Sequence, residues 1–493
     1  MLRVLTTVLI LATSPLAIEQ GDGAQDMRRL PNLVVIFIDD LGYADIGPFG
    51  GQTPTPSLDR LAKEGMRFTD FHASSAVCSA SRAALMTGCY HARVSVHGAF
   101  GPDADEGLAP SETTLAEICK QKNYATACFG KWHLGHRPEF LPTRQGFDEW
   151  FGLPYSNDMW PLHPSYATLP PDAQKRKQGY PPLPLYDGEQ IVDPEVTGDE
   201  QKQLTRRYTD RAVDFIDRNK AKPFFLYVPH TMVHVPLFAA KEFDGKTKLG
   251  LYADCVAEID ESVRRILEAL DMFGIANDTF VVFTSDNGPW LSYGEHAGSA
   301  GPLREGKGTS WEGGHRVPCV MRWPGVIPAG TTCDQLAATF DVLPTFAARI
   351  GATLPDHVLD GRDLGALLRG APDAKSPHEA FYCYYSRQLQ AVRDSRWKLV
   401  LPHSYQTLGG RPGGTAGSPA AYEGRKAPLA LYDLQTDLGE TTDVAKSHPD
   451  VVERLSQWAE RAREDLGDAI KKRAGSGVRP AGKVAPKSDE RAR

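Results

Sequence analysis

No stretch of this 493-residue chain reaches about 18 consecutive apolar residues, the least that a membrane-spanning helix needs. None of its eight cysteines forms a CxxC pair, which argues against a structural zinc site. It has no repeat of fixed period and no low-complexity tract, which sets solenoids and long disordered regions aside. Nor is there an excess of positive charge. Lys and Arg total 55 against 62 Asp and Glu, giving a net charge of −7 and a pI near 6.1. That balance offers no footprint for nucleic acid. What remains is ordinary globular composition, 41% hydrophobic and 24% charged, in a chain long enough for one large domain and a smaller one.

The N-terminal residues MLRVLTTVLILATSPLA place Arg3 before a short apolar run, Val4 to Ala12, and small residues after it. This is the layout of a secretory signal peptide spanning roughly residues 1–17, and it implies a secreted or periplasmic protein. Polar residues 19–29 separate the run from the first strand, which argues against a buried N-terminal helix. Export permits disulfides. With Cys78 set aside for chemistry, seven cysteines remain (Cys89, Cys119, Cys128, Cys255, Cys319, Cys333 and Cys383), so at least one has no partner within the chain.

Residues 31–40, PNLVVIFIDD, are a β-branched run that stops at two acids. The pattern predicts a buried central strand whose C-terminal end delivers carboxylates to a cleft. SLDRLAKEG (57–65) reads as a helix with Ser57 as its N-cap and Gly65 as its stop, and 111–122 as another. Longer helical patterns near 200–219 and 250–272 each precede an apolar strand, KPFFLYVPH and DTFVVFTSDNG. Helices alternating with continuous apolar strands predict an α/β fold, with a mostly parallel central sheet flanked by helices. Three strand ends carry polar clusters: Ile38–Asp40, Val228–His234 and Ser285–Gly288. Ligands in such sheets sit outside the carboxyl ends of the strands. After about residue 372 the pattern alternates aromatic, β-branched and polar residues, which predicts a smaller α+β domain with an antiparallel sheet. The expected division is 28–372 for the large domain, 373–473 for the smaller and 474–493 for a flexible tail. Residues 403–427 read as an irregular loop bordering the cleft.

Cys78 opens CSASRAALMTG, just before a predicted helix that Ser79 and Ser81 are placed to cap. Free helix amides favour an anion there, and Arg82, one turn on, is placed to clamp an oxyanion. Taken alone, Cys-x-x-x-Arg is more often chance. Asp-Asp at a strand end and Asn-Gly at a turn are likewise ordinary on their own. Asp39, Asp40, Asp286 and Asn287 at one sheet rim are not, because together they form an all-oxygen set suited to Ca²⁺, with Mg²⁺ second.

The segments PNLVVIFIDDLGYADIG, CSASR with MTG, GKWHLG, GLPYSNDM, HTMVHVP, SDNG, GKGTSWEGGHRVP and LYDLQTDLGE occur in this order over about residues 31–465. This series resembles the type I, formylglycine-dependent sulfatases of the alkaline phosphatase superfamily, of the arylsulfatase A and N-acetylgalactosamine-6-sulfatase kind. One departure is Ala80, where the signature usually carries proline. The resemblance implies that Cys78 is converted to formylglycine by a transiently bound formylglycine-generating enzyme. The hydrated aldehyde offers one hydroxyl to attack sulfur. The second then gives up its proton, so that the aldehyde re-forms and sulfate leaves, whereas a plain serine would be trapped as its ester. The metal ligands implied are Asp39, Asp40, Asp286, Asn287 and the modified residue 78. Arg82, Lys131 and Lys307 face the sulfate oxygens, and Ser156 contacts the sulfate. His133 partners the diol, and His234 with Lys307 serves the leaving oxygen. Three cations and a divalent metal against three aspartates leave the site positive, as an anionic ester requires. His230 is assigned at most a substrate contact. Trp150, Tyr155, Trp160 and Trp290 are candidates to stack on sugars, although large aromatics are more often core. The expected activity is hydrolysis of sulfate monoesters of carbohydrates or aryl alcohols. The competing readings are a phosphomonoester or phosphonate-monoester hydrolase, and a non-catalytic sulfated-glycan binder.

Overall fold

The computed structural model describes residues 29–164 and 169–484. The expected signal peptide, 1–17, and residues 485–493 lie outside the described residues.

The run Asn32–Ile38 is a strand with every residue buried. Its β-branched and aromatic side chains serve both faces, as a strand covered on both sides requires. Val34, Ile36 and Ile38 join one hydrophobic cluster and Leu33, Val35 and Phe37 another. Helices Leu204–Asn219 and Leu251–Met272 cover the first face, and helices Cys78–Thr87, Leu115–Lys120 and Val342–Ile350 the second. Thr279–Ser285 and Phe224–Pro229 flank the central strand in parallel, followed by Ala125–Phe129 and Glu149–Gly152. These strands form the middle of a ten-stranded sheet. Antiparallel strands, Cys319–Arg322 on one side and Leu185–Asp187 with Gln190–Asp193 on the other, continue it outward.

The first predicted helix spans Pro56–Glu64, and Ser57 does not cap it. Asp260, from helix Leu251–Met272, accepts hydrogen bonds from the amides of Ser57 (3.0 Å) and Leu58 (2.8 Å). A distant carboxylate therefore does the work assigned to a local hydroxyl. The helix predicted over 111–122 is shorter, Leu115–Lys120, and starts with a Thr114–Glu117 capping box.

Beyond residue 372 lies the expected antiparallel sheet, ordered Phe381–Tyr385, Gln388–Arg393, Trp397–Val400 and Ala430–Asp433. Helix Pro449–Leu466 covers it through Val451, Leu455, Ala459 and Ala462. The expected irregular loop over 403–427 begins and ends as a hairpin, His403–Thr407 paired with Glu423–Ala427. A flexible tail does not describe residues 474–484. Arg479 bonds Glu112 through two nitrogens at 2.7 Å, and Gly482–Lys483 pair with Glu106–Gly107. All eight cysteines are buried and unpaired, so no disulfide staples the fold.

Candidate active site

Parallel register sets the site. Ile38 stands opposite Ser285, so Asp39–Asp40 and Asp286–Asn287 leave the sheet side by side. Ser285 ties the two strand ends together. Its Oγ lies 3.1 Å from the Ile38 oxygen and 2.9 Å from the Asn287 oxygen, and accepts a bond from the Leu41 amide. Where the loop after Asn287 crosses the later GKGTSWEGGH segment, a Cβ on Gly288 would fall 1.7 Å from the Gly313 oxygen, so only glycine fits. Beyond strand Ala125–Phe129, Gly130 has φ +143° and passes against Pro229 in the same way. The next residue, Lys131, is thereby aimed at the rim, its amide bonded to the Pro229 oxygen at 2.8 Å.

Cys78 is the first residue of helix Cys78–Thr87 and is 2% exposed. Neither expected serine caps that helix. Ser79 accepts from the Phe100 amide, and Ser81 Oγ has no partner. The Cys78 sulfur lies 3.5 Å from Asp39 Oδ1 and 3.4 Å from Lys307 Nζ. Lys307 Nζ reaches both oxygens of Asp40, at 2.6 and 2.8 Å. Lys131 Nζ pairs with Asp39 and bonds Ser156 Oγ at 3.1 Å. Arg82 departs from the expectation of an oxyanion clamp. It is fully buried, its Nη2 is 2.8 Å from Asp286 Oδ2 and 3.5 Å from Asp39 Oδ2, and its Nη1 donates to the Lys131 oxygen. It holds carboxylates in place.

His133 places Nε2 at 3.0 Å from the Phe100 oxygen. That oxygen can only accept, so Nε2 carries the proton and Nδ1, which has no partner, keeps its lone pair. His234 likewise donates Nδ1–H to the Val235 oxygen, leaving Nε2 at 3.7 Å from Asp40. Burial, with Lys131 and Arg82, pushes His133 well below the ordinary histidine range, and burial with Lys307 lowers His234. Burial would raise Asp39, but Lys131, His234, Arg82 and Lys307 outweigh it and hold that carboxyl well down. Burial and Asp39 raise Asp286 to about 7 against the pull of Arg82. Burial and Asp39 push the Cys78 thiol up.

Asp39, Asp40, Cys78 and His234 each offer a ligand atom, all within 4.8 Å of one another. Asn287 donates Nδ2–H to Asp40 at 2.8 Å, while its buried Oδ1 has no partner among the described residues. A buried amide oxygen without a donor, beside three carboxylates, is what a hard divalent cation would satisfy. The residues present fit such an ion.

Cys78, His133, His234, Lys307 and Ser156 line a cavity of about 670 Å³. The C-terminal hairpin borders it through Ser404, Tyr405, Gln406 and Gly424. Of the four aromatics proposed to stack, Trp290 lines it, under the Lys307 ammonium at 4.5 Å. Trp150, Tyr155 and Trp160 are core, Trp150 stacked on Tyr186. His230 is buried on Ser262 and does not line the cavity. Sequence reasoning missed Asp158, Arg176, Tyr385 and Tyr422. Asp158 had a signal, two residues beyond Ser156 in GLPYSNDM, and Tyr422 lies in the 403–427 segment expected to border the cleft.

Residues 31–352 match the family model of sulfatases. The chain belongs to the sulfatase family. Residues 306–408 match the C-terminal model of N-sulphoglucosamine sulphohydrolase, and 376–488 the C-terminal region of aryl-sulfatase. Human arylsulfatase A is 38% identical over 455 residues, covering 87% of each chain. Human N-acetylgalactosamine-6-sulfatase is 40% identical over 369 residues, 71% of this chain and 68% of that one. The crystal structure of the PsFucS1 sulfatase from Pseudoalteromonas sp. superposes with a TM-score of 0.79 at 26% identity, over 88% of this chain and 90% of that one. This sulfatase is a sulfuric ester hydrolase, of a family that works with formylglycine and a divalent metal. No described helix is long and apolar enough to cross a membrane.

Proposed function

We propose that this sulfatase removes sulfate from sulfated carbohydrates, with formylglycine made from Cys78 as nucleophile and Ca²⁺ held by Asp39, Asp40, Asp286 and Asn287. The formylglycine hydrate supplies a geminal diol that can attack sulfur and later expel sulfate. A divalent cation held there would lower the pKa of that diol. The chain's own residues do the rest. Lys131, between Asp39 and Ser156, and Lys307, between Asp40 and Cys78, flank residue 78 with N–H donors for the sulfate oxygens. Ser156 adds a hydroxyl. His133 takes the diol proton at Nδ1, the lone pair left by its bond to Phe100. The leaving oxygen takes its proton from His234 Nε2 when the ring is doubly protonated, since Nδ1–H is committed to Val235, and Lys307 Nζ is the second donor. Arg82 is a positioning residue for Asp39 and Asp286.

The observation that carries the reading is Cys78 lining a large cavity between Asp39 and Lys307, beside an unsatisfied Asn287 oxygen. The carbohydrate preference is supported by the relative named N-acetylgalactosamine-6-sulfatase and by a cavity larger than a sulfate needs. The reading includes export, from the N-terminal run. Release of inorganic sulfate from a panel of defined sulfated sugars and aryl sulfates tests it. Turnover of sugar sulfates, lost on chelation and restored by Ca²⁺, is expected. Faster cleavage of the matching phosphate or phosphonate esters would overturn it, and so would binding without release by protein that carries formylglycine.

A further inference from the structure

The residues around Cys78 suffice for one sulfate group, yet the cavity of about 670 Å³ is in the size range that holds whole small-molecule ligands. Two more charged side chains line it, Asp158 and Arg176. Asp158 is neutralised within the protein. The buried Lys177 donates to its backbone oxygen and lies 3.4 Å from Oδ2. Burial would raise this carboxyl, but Lys177, His234 and Lys131 outweigh burial and hold it far below the usual range. Asp158 thus stays ionised, and the charge of Lys177 is consumed.

Arg176 is the adjacent residue on helix Pro171–Gln178 and is exposed where Lys177 is buried. It has the Tyr180 hydroxyl beside it and forms no ion pair among the described residues. The helix that carries it is fixed at its inner side by Lys177, and Gln174 Nε2 donates to the Leu169 oxygen at 2.6 Å. Lys307, the other lysine or arginine lining the cavity, is tied to Asp40. The cavity therefore carries, on an anchored helix, an exposed guanidinium that forms no ion pair among the described residues.

We propose that Arg176 reads a second anionic group of the substrate, a carboxylate or a further sulfate ester, on the same sugar as the scissile sulfate or on its neighbour. This rests on the carbohydrate-sulfate reading above. The planar fork of arginine matches both groups with paired N–H donors. A substrate with one anion engages the residues around Cys78 alone, whereas one with two engages both ends of the cavity. Selectivity is then the difference between the two binding energies.

The test compares wild type, Arg176→Gln and Arg176→Lys on three sugars: N-acetylgalactosamine 6-sulfate, N-acetylgalactosamine 4,6-disulfate, and the disaccharide of glucuronic acid with N-acetylgalactosamine 6-sulfate. Arg176→Gln is expected to lower the kcat/KM preference for at least one dianionic sugar over the monoanionic one by about tenfold, chiefly through KM. Arg176→Lys is expected to recover part of it, and the two dianionic sugars tell sulfate from carboxylate recognition. Equal preference ratios in wild type and Arg176→Gln for both dianionic sugars would overturn the proposal. Failure of the underlying reading looks different: no turnover of any of the three sugars by protein that hydrolyses 4-nitrophenyl sulfate. In that case calorimetric titration of the disulfate into wild type and Arg176→Gln decides, and equal affinities overturn the proposal.

Discussion

Two buried clusters in this molecule carry the same charges and do opposite things. Around Cys78, Asp39, Asp40 and Asp286 face Arg82, Lys131 and Lys307. Between the two domains, Asp70, Glu312 and Glu440 face Arg393, Lys398 and Arg316. Both offer three ligand atoms or more at metal-site spacing, Asp70, His72 and Glu312 in the second. The second is closed. Arg393 grips Asp70 through both nitrogens at 2.7 and 2.9 Å and adds Glu312 at 2.8 Å, while Lys398 bridges Glu312 and Glu440. None of these residues lines the cavity onto which Cys78 opens. The first cluster has the cavity, the unsatisfied Asn287 oxygen and Cys78. What separates a site from a lock is not the tally of charges. It is the access to solvent, through the cavity that Cys78 lines.

The sharpest way to break that comparison is at Cys78. Cys78→Ser should lower kcat on 4-nitrophenyl sulfate by about a thousandfold or more while the thermal midpoint barely moves, read by steady-state kinetics and calorimetry. Asn287→Ala removes the leftover acceptor. It should raise the half-saturating Ca²⁺ concentration and cut activity at fixed Ca²⁺ by roughly a hundredfold, checked by metal titration of the chelated protein. Lys398→Met strikes the closed cluster and should show the reverse pattern. It leaves Glu312 and Glu440 short of a cation and should cost about 3–5 kcal/mol of stability, measured in denaturant, with kcat of the folded fraction close to wild type.

Glu258 sharpens the contrast from a third side, as a buried carboxylate without an ion pair among the described residues. Burial and Glu242 raise it, against the Ala240 amide and Arg206, from the ordinary value of 4.5 to about 7. The folded protein therefore holds a proton that the unfolded chain has released. The stabilisation is full below about pH 4.5 and is lost as pH rises through about 7. Glu258→Gln keeps an acceptor for the Ala240 amide. It should flatten the fall in thermal midpoint between about pH 5 and about pH 8, leaving the variant a few degrees more stable at the alkaline end.

The central architecture was legible because it rests on local pattern. Runs such as NLVVIFI and TFVVFTS, ending in polar residues, specify buried parallel strands and put Asp39, Asp40, Asp286 and Asn287 at one rim. The resemblance carried by CSASR, GKWHLG and GKGTSWEGGH supplied Lys131, His133 and Lys307, which no spacing rule would have joined to Cys78. What the chain kept hidden depends on long-range contact. The partner of the Ser57 amide is Asp260, about two hundred positions away. Arg82 reads from the helix as an anion clamp, but two strand ends capture it. Which of the candidate aromatics reaches the cavity is also decided by packing: Trp290 lines it, while Trp150 and Trp160 are core, the commoner reading. Ala80, where proline is usual, gains a reason only in three dimensions, since its amide donates to the Gly98 oxygen at 3.2 Å, a bond that proline cannot make.

The most direct test of the account is the mass of the tryptic peptide Phe68–Arg82 from protein made in a host that forms formylglycine. The account predicts the aldehyde or its hydrate at position 78 in the active fraction, in proportion to sulfatase activity. Full activity from protein whose peptide carries only unmodified cysteine would contradict it.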